Sequence, residues 1–263
     1  MRHDQNTPSL DAWQPKSLIG RQVKSGEIKD INAIFDSGIR IMESEIVDSL
    51  LPSLERDLLL IGQAKGKFGG GQRRAFRQTQ KKTKEGNKPS FTTCAIVGDK
   101  NGHVGLGFGK AKETVPAREK AVRNAKLSMI KVSRGSGSWQ RSGPQQNSIP
   151  FKVIGKCGSV EMTLIPAPVG TGLVVEKECA KILQLAGIKD CWSKLDGQSK
   201  TKVNVVKACF AALQNISKMK VPADVKAKIG MTMSDASINT LEEIQEEAAS
   251  VSAAKQEAKA ANK

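Results

Sequence analysis

From His103 to Gly109 the sequence HVGLGFG alternates without a break. Val104, Leu106 and Phe108 fall on one side of an extended chain, and His103, Gly105, Gly107 and Gly109 on the other. A glycine inside a strand weakens it, so three on one face mark a surface that another backbone approaches closely. A helix laid on that bare face satisfies the pattern, and so does an RNA backbone. Just upstream, Phe91–Val97 is a β-favouring run, and GDKNG (Gly98–Gly102) ends in the Asn-Gly pair suited to a tight turn. Downstream, residues 110–132 read as a helix, with Pro116 tolerated in its first turn. Its predicted apolar face is Val115, Val122, Ala125 and Met129, while Lys112, Arg118, Lys120, Arg123, Lys126 and Lys131 cover the rest.

A second unit of mixed structure follows. Phe151–Lys156 and Ser159–Ile165 form a predicted hairpin around Gly158, and PAPVGTG (Pro166–Gly172) a tight loop. Cys179, Ile182, Leu183 and Ala186 recur at helical spacing, with Gly187 where a C-terminal cap belongs. A strand through Ile188–Ser193 and a helix marked by Val203, Val206, Phe210 and Leu213 complete it. The chain is therefore expected to be α+β, with an RNA-binding domain at 41–133 and an α/β domain at 148–220. A Gly/Ser/Pro linker at 134–147 separates them, an extension occupies 1–40, and an acidic, Ala-rich tail fills 221–263. Residues 1–15 read as unstructured. Ile31, Ile34, Phe35, then Ile46, Val47 and Leu50, suggest helices interrupted by Gly38, and Leu54, Leu58 and Ile61 a short buried segment.

Charge says where a partner sits. Of the net +16, residues 62–141 carry 19 basic and 4 acidic side chains, a net of +15. Residues 1–61 stand at −3, 142–222 at +6 and 223–263 at −2. Such a concentration calls for a polyanion, nucleic acid before an anionic membrane. Within the block, residues 62–88 (GQAKGKFGGGQRRAFRQTQKKTKEGNK) are too poor in apolar residues to fold alone, and read as a basic loop that orders on a phosphate backbone.

Other classes fall away. No apolar run approaches the roughly 18 residues of a membrane span. The polar MRHDQNTPSL lacks the apolar core of a signal peptide, so export by that route is not expected. Cys94, Cys157, Cys179, Cys191 and Cys209 show no C-x-x-C spacing and are odd in number, which suits five small buried hydrophobes in a reducing compartment. With only His3 and His103, a histidine metal site or a Ser-His-Asp constellation has little to draw on. GLGFGKA (Gly105–Ala111) fails as a Walker loop, having Val104 and Ala111 where Gly and Ser or Thr are needed, and as a dinucleotide fingerprint, having Lys110 for the third Gly. Aromatics at 4%, with no Tyr, argue against a surface built from many base-stacking platforms. No catalytic residue, metal or cofactor is expected.

Two long segments carry a resemblance. FTTCAIVGDKNGHVGLGFGKAKETVPAREKAVRNAK (Phe91–Lys126) resembles the core signature of the universal small-subunit ribosomal protein family numbered five in bacteria. GTGLVVEKECAKILQLAGIKDCWSKLDGQSKTKVNVVKACFAAL (Gly170–Leu213) resembles that family's second domain. Trp13–Ile28 and Ile41–Pro52 are similar to its archaeal-eukaryotic branch, and the lack of an Arg/Gly-rich front end suggests an archaeal-type member. Gly62–Phe76 departs from the family, being longer than the usual connection.

The resemblance implies a first domain like the double-stranded-RNA-binding fold and a second of the family's own α/β type. It implies a non-enzymatic, ribosome-bound cytoplasmic protein, seated near the messenger entrance, touching small-subunit rRNA and the neighbouring proteins numbered four and eight. Roles in assembly and decoding accuracy follow from it as well. The expected rRNA contacts are Arg73, Arg74, Arg77, Lys81, Lys82, Lys84, Lys88, Lys110, Lys112, Arg118, Arg134, Arg141, Lys152 and Lys156. Two rivals are a free-standing double-stranded-RNA-binding regulator and an RNA-processing enzyme. The latter has Glu161, Glu176, Glu178, Asp190 and Asp196 to draw on, with no partner histidine.

Overall fold

The computed structural model describes residues 13–64, 71–136 and 146–222. The expectations for residues 1–12, for most of the linker with Arg141, and for the tail from 223 lie outside them. Five strands form the first sheet: β1 (Glu55–Leu58), β2 (Arg77–Thr83), β3 (Gly86–Gly98), β4 (His103–Ala111) and β5 (Met129–Lys131). All pairings are antiparallel. The thirteen-residue β3 takes β1 and β2 end to end along one edge and β4 along the other.

The bare glycine face is covered by a helix, α4 (Thr114–Leu127). A Cβ at Gly105, Gly107 or Gly109 would stand 2.2, 2.2 or 2.1 Å from the carbonyl oxygens of Ala125, Ala121 and Ala117 respectively. Two residues of strand advance about 6.8 Å and four of helix about 6 Å, so the glycine and alanine repeats stay in step over three rungs. This corrects the predicted helix. Its buried stripe is Ala117, Ala121 and Ala125, because at this distance only methyl groups fit; Val115 is 63% exposed. It also starts later and stops earlier, leaving Lys110 on β4, Lys112 in the connection, and Met129 and Lys131 on β5.

Three short helices complete this layer: α1 (Leu18–Ser25) packs on α3 (Ser44–Leu50), α3 on α4, and α2 (Ile31–Asp36) on β5. Their Val23, Ile31, Ile34, Ile46 and Val47 join Val97, Ala125 and Met129 in one core. The extension thus belongs to the packing of the first sheet. Even Trp13, expected to be loose, is fixed: its Nε1 donates to Glu43 Oε2 at 2.9 Å, while the N–H groups of Lys16 and Ser17 donate to Oε1 at 2.9 and 2.6 Å. Burial works against the Glu43 charge, but these donors hold its carboxyl below the ordinary value. In the segment after α3, Leu59 and Ile61 are the buried residues and Leu58 is only half-buried.

The second sheet runs β6 (Val153–Cys157), β7 (Val160–Pro166), β9 (Cys191–Asp196), β8 (Leu173–Val174), with α5 (Lys177–Leu185) and α6 (Lys202–Lys218). β8 and β9 are parallel, as a strand–helix–strand crossover requires. β9 begins three residues later than expected. The reason is that Lys189 and Asp190 donate their N–H groups to Asn147 O, at 2.8 and 3.0 Å, instead of to a neighbouring strand. Asp190 Oδ1 then accepts from the N–H groups of Gly170 and Gly172, at 3.1 and 2.8 Å, fixing the PAPVGTG loop.

One core serves both units. Cys94, Ile96, Val104 and Leu106, on the face of the first sheet turned from α4, join Val160, Met162, Ile182, Leu183, Cys209 and Leu213. Polar groups lock the same junction: Glu178 Oε2 accepts from Leu60 N–H at 2.8 Å, and Lys100 N–H donates to Leu185 O at 2.9 Å. Cys94, Cys179, Cys191 and Cys209 are buried and reduced, and Cys157 is half-buried. Burial pushes the Cys94 and Cys191 thiols up to about 12, so they pack as apolar groups and do not ionise at neutral pH.

Candidate nucleic-acid interface

The segment read as a basic loop is in part a strand ribbon. β2 pairs with β3 from Arg77 opposite Thr92 to Thr83 opposite Gly86, closed by Lys84 and Glu85. The ladder satisfies the backbone, and Thr79 and Ser90 join their hydroxyls across it at 2.8 Å. Because β4 stops pairing at Phe91, the ribbon runs on alone, about 17 Å at the usual rise per residue, as an arm. Both faces of the arm are exposed, so no hydrophobic alternation announces it in the sequence.

Register sorts its charges. Lys81 lies opposite Lys88, and Arg77 opposite Thr92, which in turn lies opposite Lys110. Paired residues share a face, so Arg77, Lys81, Lys88 and Lys110 stand together on the side turned from α4. The next residue, Thr93, marks the other side, its hydroxyl donating to Ala117 O at 3.0 Å. Lys82 lies on that α4 side and Lys84 at the tip. Like charges directly opposite are destabilising, which suits a surface completed by an anion.

The remaining predicted contacts are dispersed. Arg74 is exposed and Arg73 half-buried at the base of the arm; Lys112 and Arg118 are exposed around the start of α4. Arg134 is turned to the junction of the two units, where Nη1 donates to Lys100 O at 3.4 Å. Lys152, just before β6, and Lys156, on β6, are exposed in the second unit, and Lys156 pairs with Glu161 at 2.6 Å. Two bases assigned to the cationic helix face inward: Lys126 pairs with Asp48 at 2.6 Å, and Lys131 with Asp36 at 2.9 Å. One contributor went unnoticed. α6 carries Lys207 to 4.9 Å from the Phe108 ring, two residues from Lys110 on the same face of β4. Nothing in the helical periodicity of α6 shows that this position meets the first sheet.

His103, the one described histidine, serves the fold. Its Nδ1 is 2.6 Å from Asp99 Oδ2 and its Nε2 3.0 Å from Asn32 Oδ1, with Phe35 stacked on the ring. Burial opposes the Asp99 charge, yet the hydrogen bond and the charge of His103 hold the carboxyl below its usual value. Among the described residues no group of three His, Cys, Asp or Glu side chains is placed to hold a metal ion. No helix among them is long and apolar enough to cross a membrane.

Two family models match the chain: "Ribosomal protein S5, N-terminal domain" over residues 75–133, and "Ribosomal protein S5, C-terminal domain" over residues 155–228. A protein of Nanoarchaeum equitans named small ribosomal subunit protein uS5 is 47% identical over 213 residues, 81% of this chain and 91% of its own length. One of the same name from Methanobrevibacter smithii is 46% identical over 224 residues, 85% of this chain and 98% of its own. Another, from Methanococcus maripaludis strain C6, is 43% identical over 224 residues, 85% and 91% of the two chains.

Proposed function

Because the chain belongs to the ribosomal protein S5 family, with relatives named small ribosomal subunit protein uS5, we infer that it is a structural, non-enzymatic constituent of the small ribosomal subunit and binds its rRNA. The observation that carries the contact surface is the arm, whose register gathers Arg77, Lys81, Lys88 and Lys110 on one exposed face. Lysine and arginine there neutralise phosphates and release counterions, and A-form RNA is read by its shape and backbone more than by its bases. Arg73, Arg74, Lys82, Lys84, Lys112, Arg118 and Lys207 extend the field around the arm.

The finer placement is our proposal: a seat near the messenger entrance, beside the proteins numbered four and eight in bacteria, with a part in assembly and decoding accuracy. Cytoplasmic ribosomes are its proposed location. An arm that reaches beyond the folded body is suited to thread between rRNA elements, which supports a role in assembly.

Sedimentation tests the reading. The protein is expected to travel in stoichiometric amount with small subunits through a high-salt gradient. A protein that washes off, yet binds duplex RNA when free, would be a regulator instead.

A further inference from the structure

Few aromatic residues are present, and most of the described phenylalanines are accounted for by the cores. Of the six described, Phe35, Phe108, Phe151 and Phe210 pack in one of the two clusters. Phe76 and Phe91 pack in neither; they are half-buried and line a single cleft of about 450 Å³ at the root of the arm. Leu60, Arg74, Gln78 and Thr114 line it with them. Gln78 and Phe91 are opposite residues in the ribbon, on the α4 side, so the cleft opens on the face opposite the basic one. Its wall is pinned by backbone: Gly62 N–H donates to Arg74 O at 2.8 Å, and a Cβ at Gly62 would stand 2.3 Å from Phe76 O. This wall is built by Leu60 and residues 72–76, most of which precede the N-terminal family match.

Two phenyl rings, a side-chain amide and a guanidinium match three features of a nucleotide. An unstacked base lies against aromatic faces, its edge meets an amide, and its phosphate meets a cation. We propose that the cleft receives an unpaired nucleotide of the rRNA, its base against Phe76 and Phe91 and its phosphate toward Arg74. The assignment rests on the rRNA-binding reading above. The basic face would then hold paired RNA while the reverse side of the same ribbon takes a base extruded from the stack.

The test uses the full chain with two probes, a hexauridylate carrying one 5-iodouridine and a 16-base-pair RNA duplex. Photocrosslinks of the hexamer, mapped by mass spectrometry, are expected at Phe76 or Phe91. Phe76→Leu and Phe91→Leu are each expected to weaken hexamer binding at least about fivefold, the lower range for loss of a base–aromatic stack. Duplex binding should stay within about twofold. Gln78→Ala, an exposed change outside both cores, is expected to weaken the hexamer alone and keeps the test open if a phenylalanine variant fails to fold. Crosslinks confined to residues 81–88, or equal loss of both probes, would overturn the cleft assignment and leave the rRNA reading standing. If the unaltered chain holds neither probe, that reading fails and the cleft assignment with it.

Discussion

Gly107 lies against Ala121 so closely that a methyl group on the glycine would stand 2.2 Å from the Ala121 carbonyl oxygen. Helix backbone, which cannot swing aside as a side chain can, is the clashing partner. Gly107→Ala is therefore expected to destabilise the protein by about 3 kcal/mol, the upper part of the usual overpacking range. Urea denaturation followed by circular dichroism checks it. A loss below about 1 kcal/mol would mean that α4 shifts freely on the sheet.

Asp99 makes stability depend on pH in a stated direction. Its carboxyl is held below its ordinary value in the folded protein, so ionisation favours folding. The contribution is complete above the unfolded-state value of about 3.9 and drains away as pH falls through the lower folded value. The stability gap between the protein and its Asp99→Asn variant should be fully present at about pH 5 and should shrink below about pH 4. Denaturant melts between pH 2 and 7 measure it, and a gap that widens on acidification would contradict the assignment.

Lys81 and Lys88 face each other across the arm, so removing one is expected to separate stability from binding. Lys81→Ala should leave the free protein unchanged or more stable by a few tenths of a kcal/mol, because a like-charge pair is relieved. With about eight phosphates engaged, log affinity for RNA should fall with log salt at a slope of roughly −6 to −7. The double variant Lys81→Ala/Lys88→Ala should flatten that slope by about 1.5 to 2. Salt titrations on duplex RNA provide the number; an unaltered slope would take these two lysines out of the interface.

Glu178 joins the two units by accepting from the Leu60 N–H, and Lys181 beside it pairs with Asp57 at 2.9 Å. Glu178→Ala leaves a shielded N–H without its acceptor, at a cost of about 1–3 kcal/mol. Amide exchange at Leu60 is expected to quicken more than exchange in β7. A uniform change across the chain would point to global destabilisation instead.

Much of this architecture could be read from the chain, for identifiable reasons. The β3–β4 hairpin was legible because its alternation and its Asn-Gly turn agree. The glycine face announced a close approach, though not which partner made it. The face of α4 was legible in part: Val122, Ala125 and Met129 do pack in a core, but Ala117 and Ala121 yielded to the exposed Val115. Valines outweigh alanines on any hydrophobic scale, whereas a helix seated on glycine selects for small size. The arm was misread because a ribbon exposed on both sides shows only polar residues, the same signature as a loop. Charge located the candidate interface, but it could not separate Lys81 from Lys126, whose partner Asp48 is remote in sequence. Nor could it see Lys207 arriving from another unit.

The shared core has a consequence for synthesis. Cys94, Ile96, Val104 and Leu106 share their core with residues that are translated later, from Val160 to Ile216. As the chain emerges from a translating ribosome, α4 can close on its glycines at once, while the opposite face of the same sheet stays bare and adhesive. A newborn first half is thus a half-wrapped parcel, exposed to aggregation until its own second half arrives to shelter it.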